Sequence, residues 1–184
     1  MNRRIYHVEI CGLERDLPLF EVAPGVRIAV FNILGDVEIT RAAGKALADR
    51  LRPRLPEIIV TAEAKALPLA YEVAARLELP YVVLRKSYKT YMGDALKERT
   101  NSITTGDQQT LFLDEKDRSR IAGKRAAVVD DVISTGSTLA AMRSLLTRAG
   151  ATIVAESAVF TEGDRGKWPN VIALGHLPVF ADPS

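Results

Sequence analysis

Apolar positions along this chain follow two rhythms. Short runs that are apolar on both faces read as buried strands: "VRIAVFNIL" (26–34), "EIIVTA" (57–62), "PYVVLRK" (80–86), "TLFLD" (110–114), "RAAVVD" (125–130), "TIVAESAVF" (152–160) and "NVIALG" (170–175). Between several of them, apolar residues recur every three or four positions. That spacing predicts helices over 38–51, 67–79 and 137–151. Pro53 and Pro56 stop the first helix, and Pro68 sits in the opening turn of the second, where its missing N–H costs least. In the third, Leu139, Met142, Leu145, Leu146 and Ala149 share one face, and Gly150 stands where a helix stop belongs. Strands alternating with helices predict an α/β fold, a mostly parallel sheet flanked by helices. In such a sheet, ligands bind beyond the carboxyl ends of the strands.

Candidate chemistry lies at one of those ends. In "AAVVDDVISTGSTLAAM" (126–142) an apolar strand runs into Asp130 and Asp131, then into Ser134, Thr135, Gly136, Ser137 and Thr138. An ordinary strand-to-helix turn would need one oxygen as N-cap, with the acids favouring the helix dipole. This loop exceeds that need. A helix N-terminus offers free N–H groups to an anion, and adjacent carboxylates accept hydrogen bonds from vicinal hydroxyls. A ligand with both features has the chemistry of ribose 5-phosphate. Two other phosphate loops are excluded, because no G-x-x-x-x-G-K-[ST] pattern exists and no G-x-G-x-x-G follows a strand.

Composition narrows the class. With 184 residues, 47% hydrophobic and 26% charged, the chain reads as one soluble domain able to bury a core. No apolar run approaches the roughly 20 residues of a membrane helix. "MNRRIYHVEI" has no apolar region behind its arginines, so no secretory signal is expected. Cys11 is the only cysteine, which fits a reducing, cytoplasmic setting and leaves it a packing residue. One cysteine with His7 and His176 cannot make a structural zinc site. A net charge of +2 gives no argument for nucleic acid.

The segment Val128–Thr138 resembles the phosphoribosyl pyrophosphate (PRPP) loop of the type I phosphoribosyltransferases, most nearly the adenine (purine) enzymes. By position, the resemblance implies that Asp130 and Asp131 hold the ribose hydroxyls and act as catalytic and, through water, Mg²⁺-facing residues. It implies that Ser134, Thr135, Gly136, Ser137 and Thr138 hold the 5-phosphate. Two further stretches join it. Glu63-Ala64-Lys65-Ala66 is similar to the pyrophosphate-binding E-A-R-G, with Ala66 in place of the usual glycine. Arg85-Lys86, with Lys89 beyond, resembles R-K-x-x-K, and implies a cationic clamp on the leaving group that includes Lys89. In related enzymes such cations reach a neighbouring subunit, which implies a homodimer.

The same resemblance implies a hood built from about 1–36 and 160–184, and a flexible catalytic loop over about 87–109. Phe160 and Glu162 are the candidate base contacts, while Trp168 and His176 are expected to be hood packing. Tyr88, Tyr91, Asp94, Glu98 and Asp107 of the loop depart from the adenine-type pattern, so no acid or base is assigned there. The implied reaction displaces pyrophosphate from ribose C1 by a base nitrogen, with Mg²⁺ carried on PRPP and no protein nucleophile. Adenine is the first expectation, with xanthine or guanine next. A pyrimidine transferase and a non-catalytic PRPP-sensing regulator are the other readings.

Overall fold

A computed structural model describes residues 4–100 and 109–181. Its centre is a five-stranded sheet in the order β10 (Val171–Leu177), β9 (Thr152–Glu162), β8 (Arg125–Ile133), β4 (Ile58–Ala62), β5 (Tyr81–Leu84), and every pairing is parallel. β8 is the middle strand and shows why its run is apolar throughout. Ala127 and Val129 pack towards α1 (Val37–Leu51) and α2 (Leu67–Leu77), while Ala126 and Val128 pack towards α4 (Ser137–Arg148). Successive side chains of a strand point to opposite faces, so a sheet covered on both sides needs both parities apolar. All four of these β8 side chains are fully buried.

A second, antiparallel sheet forms the hood. Its order is β1 (Ile5–Ile10), β2 (Leu13–Ala23), β3 (Val26–Ala29), β11 (Val179–Ala181). The β1–β2 hairpin turns at Cys11 and Gly12, both with positive φ (55° and 76°), the geometry of a tight two-residue hairpin turn. Of this sheet only β3 was expected from the pattern, and it is shorter than expected. It ends at Ala29, because the chain leaves the sheet there to bury Phe31 and Ile33 in the core below. Asp36 then caps α1, accepting from the Ile39 N–H at 3.0 Å and from the Arg15 guanidinium at 2.7 Å.

The polar segment expected as one long loop is partly folded. Thr90–Met92 makes a turn of 3₁₀ helix and buries Met92, and β6 (Leu96–Arg99) pairs antiparallel with β7 (Thr110–Leu113). Glu98 accepts from Ser144 Oγ of α4 at 2.6 Å, which ties this hairpin to the sheet's cover. The expectation of a free segment therefore does not hold for 87–100. Residues 101–108 lie outside the described residues. A short helix missed by the pattern, α3 (Glu115–Ile121), follows β7, capped by the Asp114 carboxylate on the Lys116 N–H.

Candidate active site

The acid pair lies near the carboxyl end of β8, the central strand. Asp131 is buried, and its N–H donates to Asp130 Oδ1 at 2.9 Å. Burial, and then the adjacent Asp131 carboxylate, push the Asp130 carboxyl well above the usual carboxylate range, with Lys86 pulling the other way.

Beyond Ile133, Ser134–Gly136 lead into α4. Gly136 is the N-cap, at φ 81°, and a glycine brings no side-chain cap. The only side-chain acceptor in the first turn is Thr135 Oγ1, 3.4 Å from the Ser137 N–H. The N-terminal N–H groups of a 12-residue helix are thus left facing outward at a loop of hydroxyls, the arrangement that binds an anion. The glycine is required twice over. A left-handed φ disfavours any other residue, and an added Cβ would stand 2.1 Å from the Trp168 ring. Next to Trp168, Lys167 donates from Nζ to the Thr135 carbonyl at 3.0 Å. Sequence reasoning placed Trp168 in hood packing, whereas its ring lies against Gly136 of the hydroxyl loop. The available signal was topological, since β8 and β9 are parallel neighbours and the segments after them leave the sheet at the same end.

The loop after β4 is held from beneath. The Glu63 N–H donates to the Leu84 carbonyl at 2.9 Å, and the Glu63 carboxylate accepts from the Lys86 N–H at 2.8 Å and pairs with the Arg85 guanidinium. Arg85 is thereby committed to Glu63, and it is Lys86 whose charge reaches Asp130. The Glu63–Ala64 peptide is cis. Ala66 needs no glycine: its φ of −79° lies in the right-handed helical region, where it serves as N-cap of α2, buried to 1% exposure. Lys65 projects into a cavity of about 230 Å³ lined by Ile28, Ala29, Val30, Phe31, Asp131, Val132, Ser134 and Glu162.

This cavity joins four stretches of sequence: the hood, the loop after β4, the acid-and-hydroxyl segment, and the end of β9. Glu162 is half-buried there, its carboxyl raised by desolvation. Phe160 is fully buried beneath, edge-on to Phe31 with ring centroids 5.0 Å apart. The aromatic wall of the cavity is therefore Phe31, and Phe160 is its support. Asp130, Arg85, Lys86, Lys89 and Thr135–Thr138 do not line the cavity itself. Lys89 is exposed and donates its N–H to Met92 Sδ at 3.2 Å. His176 is paired with Thr161 Oγ1 at 3.1 Å. Among the described residues, no three His, Cys, Asp or Glu side chains cluster as a metal cage.

The profile of the phosphoribosyl transferase domain matches residues 33–170. The chain belongs to that family. Within the family, it is 36% identical over 132 residues to the xanthine phosphoribosyltransferase of Chloroflexus aurantiacus, covering 70% of this chain and 62% of that one. It is 34% identical over 143 residues to the hypoxanthine/guanine phosphoribosyltransferase of Methanococcus voltae, covering 78% and 69%. It is 30% identical over 125 residues to the purine biosynthesis transcriptional repressor PurR of Bacillus subtilis, covering 68% and 43%. The match thus spans less than two thirds of the xanthine enzyme and under half of the repressor. In fold, the chain is similar to the adenine phosphoribosyltransferase of Thermoanaerobacter pseudethanolicus, with a TM-score of 0.71 at 21% identity over 87% of this chain and 95% of the other. No helix among the described residues is long and apolar enough to cross a membrane.

Proposed function

We propose that this phosphoribosyl transferase domain moves the 5-phosphoribosyl group of PRPP onto a purine, adenine first and a 6-oxopurine second, releasing pyrophosphate and the nucleoside 5′-monophosphate. The observation that carries the reading is the cavity in which Lys65, Asp131, Ser134 and Glu162 meet beneath the hood. A 5-phosphate seats on the Ser134–Thr138 loop and the open N-terminus of α4. Asp130 and Asp131 accept from the ribose 2- and 3-hydroxyls. Lys65 and Lys86 face the pyrophosphate. As the bond from C1 to the pyrophosphate oxygen breaks, its electron pair leaves with the pyrophosphate, and positive charge grows on the ribose as in glycoside chemistry. A base nitrogen then bonds C1 and loses its proton. The base lies between Phe31 and the backbone of Ile28–Val30, with Glu162 at its edge.

Mg²⁺ fits this donor set. It keeps several waters and needs one or two carboxylates alongside substrate phosphates, so Asp130 and Asp131 suffice without a protein cage. When bound, the ion supplies charge neutralisation to the leaving pyrophosphate. A cytoplasmic homodimer completes the reading. The dimer is supported by exposed Tyr71, Tyr81 and Tyr91, of which Tyr81 and Tyr91 line a groove of about 510 Å³ at the β5 edge.

The test is a panel of adenine, hypoxanthine, guanine, xanthine, uracil and orotate with PRPP and Mg²⁺, assayed for pyrophosphate release. Turnover with a purine and none with the pyrimidines is expected. A second reading, a PRPP-responsive regulator, is favoured by the similarity to PurR. It is the outcome if PRPP binds and no base is turned over.

A further inference from the structure

The 5-phosphate loop has no cation of its own, since Ser134–Thr138 contains none. The structure supplies one from elsewhere in the chain. After β9, Asp164 caps a turn of 3₁₀ helix, Arg165–Lys167, by accepting from the Gly166 N–H at 2.8 Å. The Lys167 N–H reaches the Asp164 carbonyl at 3.2 Å, and Val171 N–H the Trp168 carbonyl at 3.2 Å. The backbone on both sides of Lys167 and Trp168 is thus fixed. From that platform the Lys167 ammonium bonds the Thr135 carbonyl and lies 4.9 Å from the Trp168 ring centroid. The indole of Trp168 meanwhile packs on Gly136. Its Nε1 is buried and makes no hydrogen bond.

From this arrangement we infer that Lys167 is a binding residue for the 5-phosphate, and that Trp168 is a positioning residue that holds Gly136 and the N-terminus of α4 open to it. The inference rests on the phosphoribosyl reading above. An ammonium has three donors, and the Thr135 carbonyl uses one. The others are free to meet a dianion seated in the loop, adding a full positive charge that the hydroxyls and N–H groups do not carry. An unpartnered lysine would leave such a surface for solvent. This one is tethered to the loop's backbone and lies against an aromatic face, so little ordering remains to be done on binding.

The experiment is calorimetric titration with ribose 5-phosphate and, separately, with pyrophosphate. The chain has one tryptophan, so emission from Trp168 reports the loop directly. Ribose 5-phosphate should bind the intact protein and change that emission. Lys167→Ala should weaken ribose 5-phosphate about tenfold or more, the scale of one charge-assisted contact, and leave pyrophosphate unchanged. Lys167→Arg should retain most of the affinity. Trp168→Phe should raise KM for PRPP while leaving KM for the base as it was. Lys167→Ala with intact affinity for ribose 5-phosphate would overturn the inference alone, and so would equal losses for both ligands. If the intact protein bound no ribose 5-phosphate and released no pyrophosphate from PRPP, the proposed function and this inference would both fall.

Discussion

At the scale of single residues, the site turns on carboxylates whose surroundings oppose their charge. Asp130 gains protons on folding, because its folded pKa lies above the unfolded one. Its contribution to stability is therefore greatest below the ordinary carboxylate range and is lost as pH rises through the folded value. Asp130→Asn should flatten that decline, and melting curves of both proteins between pH 5 and pH 9 would show it. The same substitution should weaken ribose 5-phosphate, since an amide accepts less well than a carboxylate. Lys65→Ala should weaken PRPP and pyrophosphate by about tenfold while sparing the free base, as measured by titration. Glu162 faces the cavity with no hydrogen-bond partner for its side chain among the described residues. A carboxylate only accepts, so it suits a base edge that presents an amino group. Glu162→Gln should shift kcat/KM towards 6-oxopurines relative to adenine; an unchanged ratio in the base panel would remove Glu162 from base selection.

At the scale of elements, the described part of the segment between β5 and β7 belongs to the fold. Deleting 92–103 would remove buried Met92, all of β6 and the Glu98 contact to Ser144. Losing a buried methionine alone costs about 2–5 kcal/mol, so this variant should melt well below the intact chain. Gly136→Ala makes a second test, on the turn that opens α4. The left-handed φ costs an alanine about 1–2 kcal/mol, and the Trp168 ring must also move, so both melting temperature and ribose 5-phosphate affinity should drop.

Across the whole molecule, what the sequence disclosed follows a physical division. The central sheet was legible because burial on both faces forces uninterrupted apolar runs, as at Ala126–Val129. The acid-and-hydroxyl segment was legible because its chemistry is contiguous, from Asp130 to Thr138. The hood's first two strands were not read, although Tyr6, Val8 and Ile10 alternate with more exposed residues and Gly12 supplies the turn. A one-sided, charge-rich strand has half the apolar signal. β6, "LKER", was unreadable for the same reason, being defined by its pairing with β7 rather than by its own composition. Phe31, Lys167 and Trp168 have no local signature at all. They reach the site through topology, and nothing in their immediate neighbours announces it.

That topology also sets an order of events in folding. β11 pairs with β3, matching Val179 to Ile28 across about 150 residues of intervening chain. Contacts that close so large a loop form late, after nearby ones have met their entropic cost. The parallel core β4–β8–β9, with α2 and α4, needs no strand of the hood for its own pairings. On a ribosome, the half where we seat the phosphoribose should thus be assembled while the wall where we seat the base is still open. Pulsed hydrogen exchange during refolding should find the amides of Val128–Val132 protected before those of Ile28 and Val179.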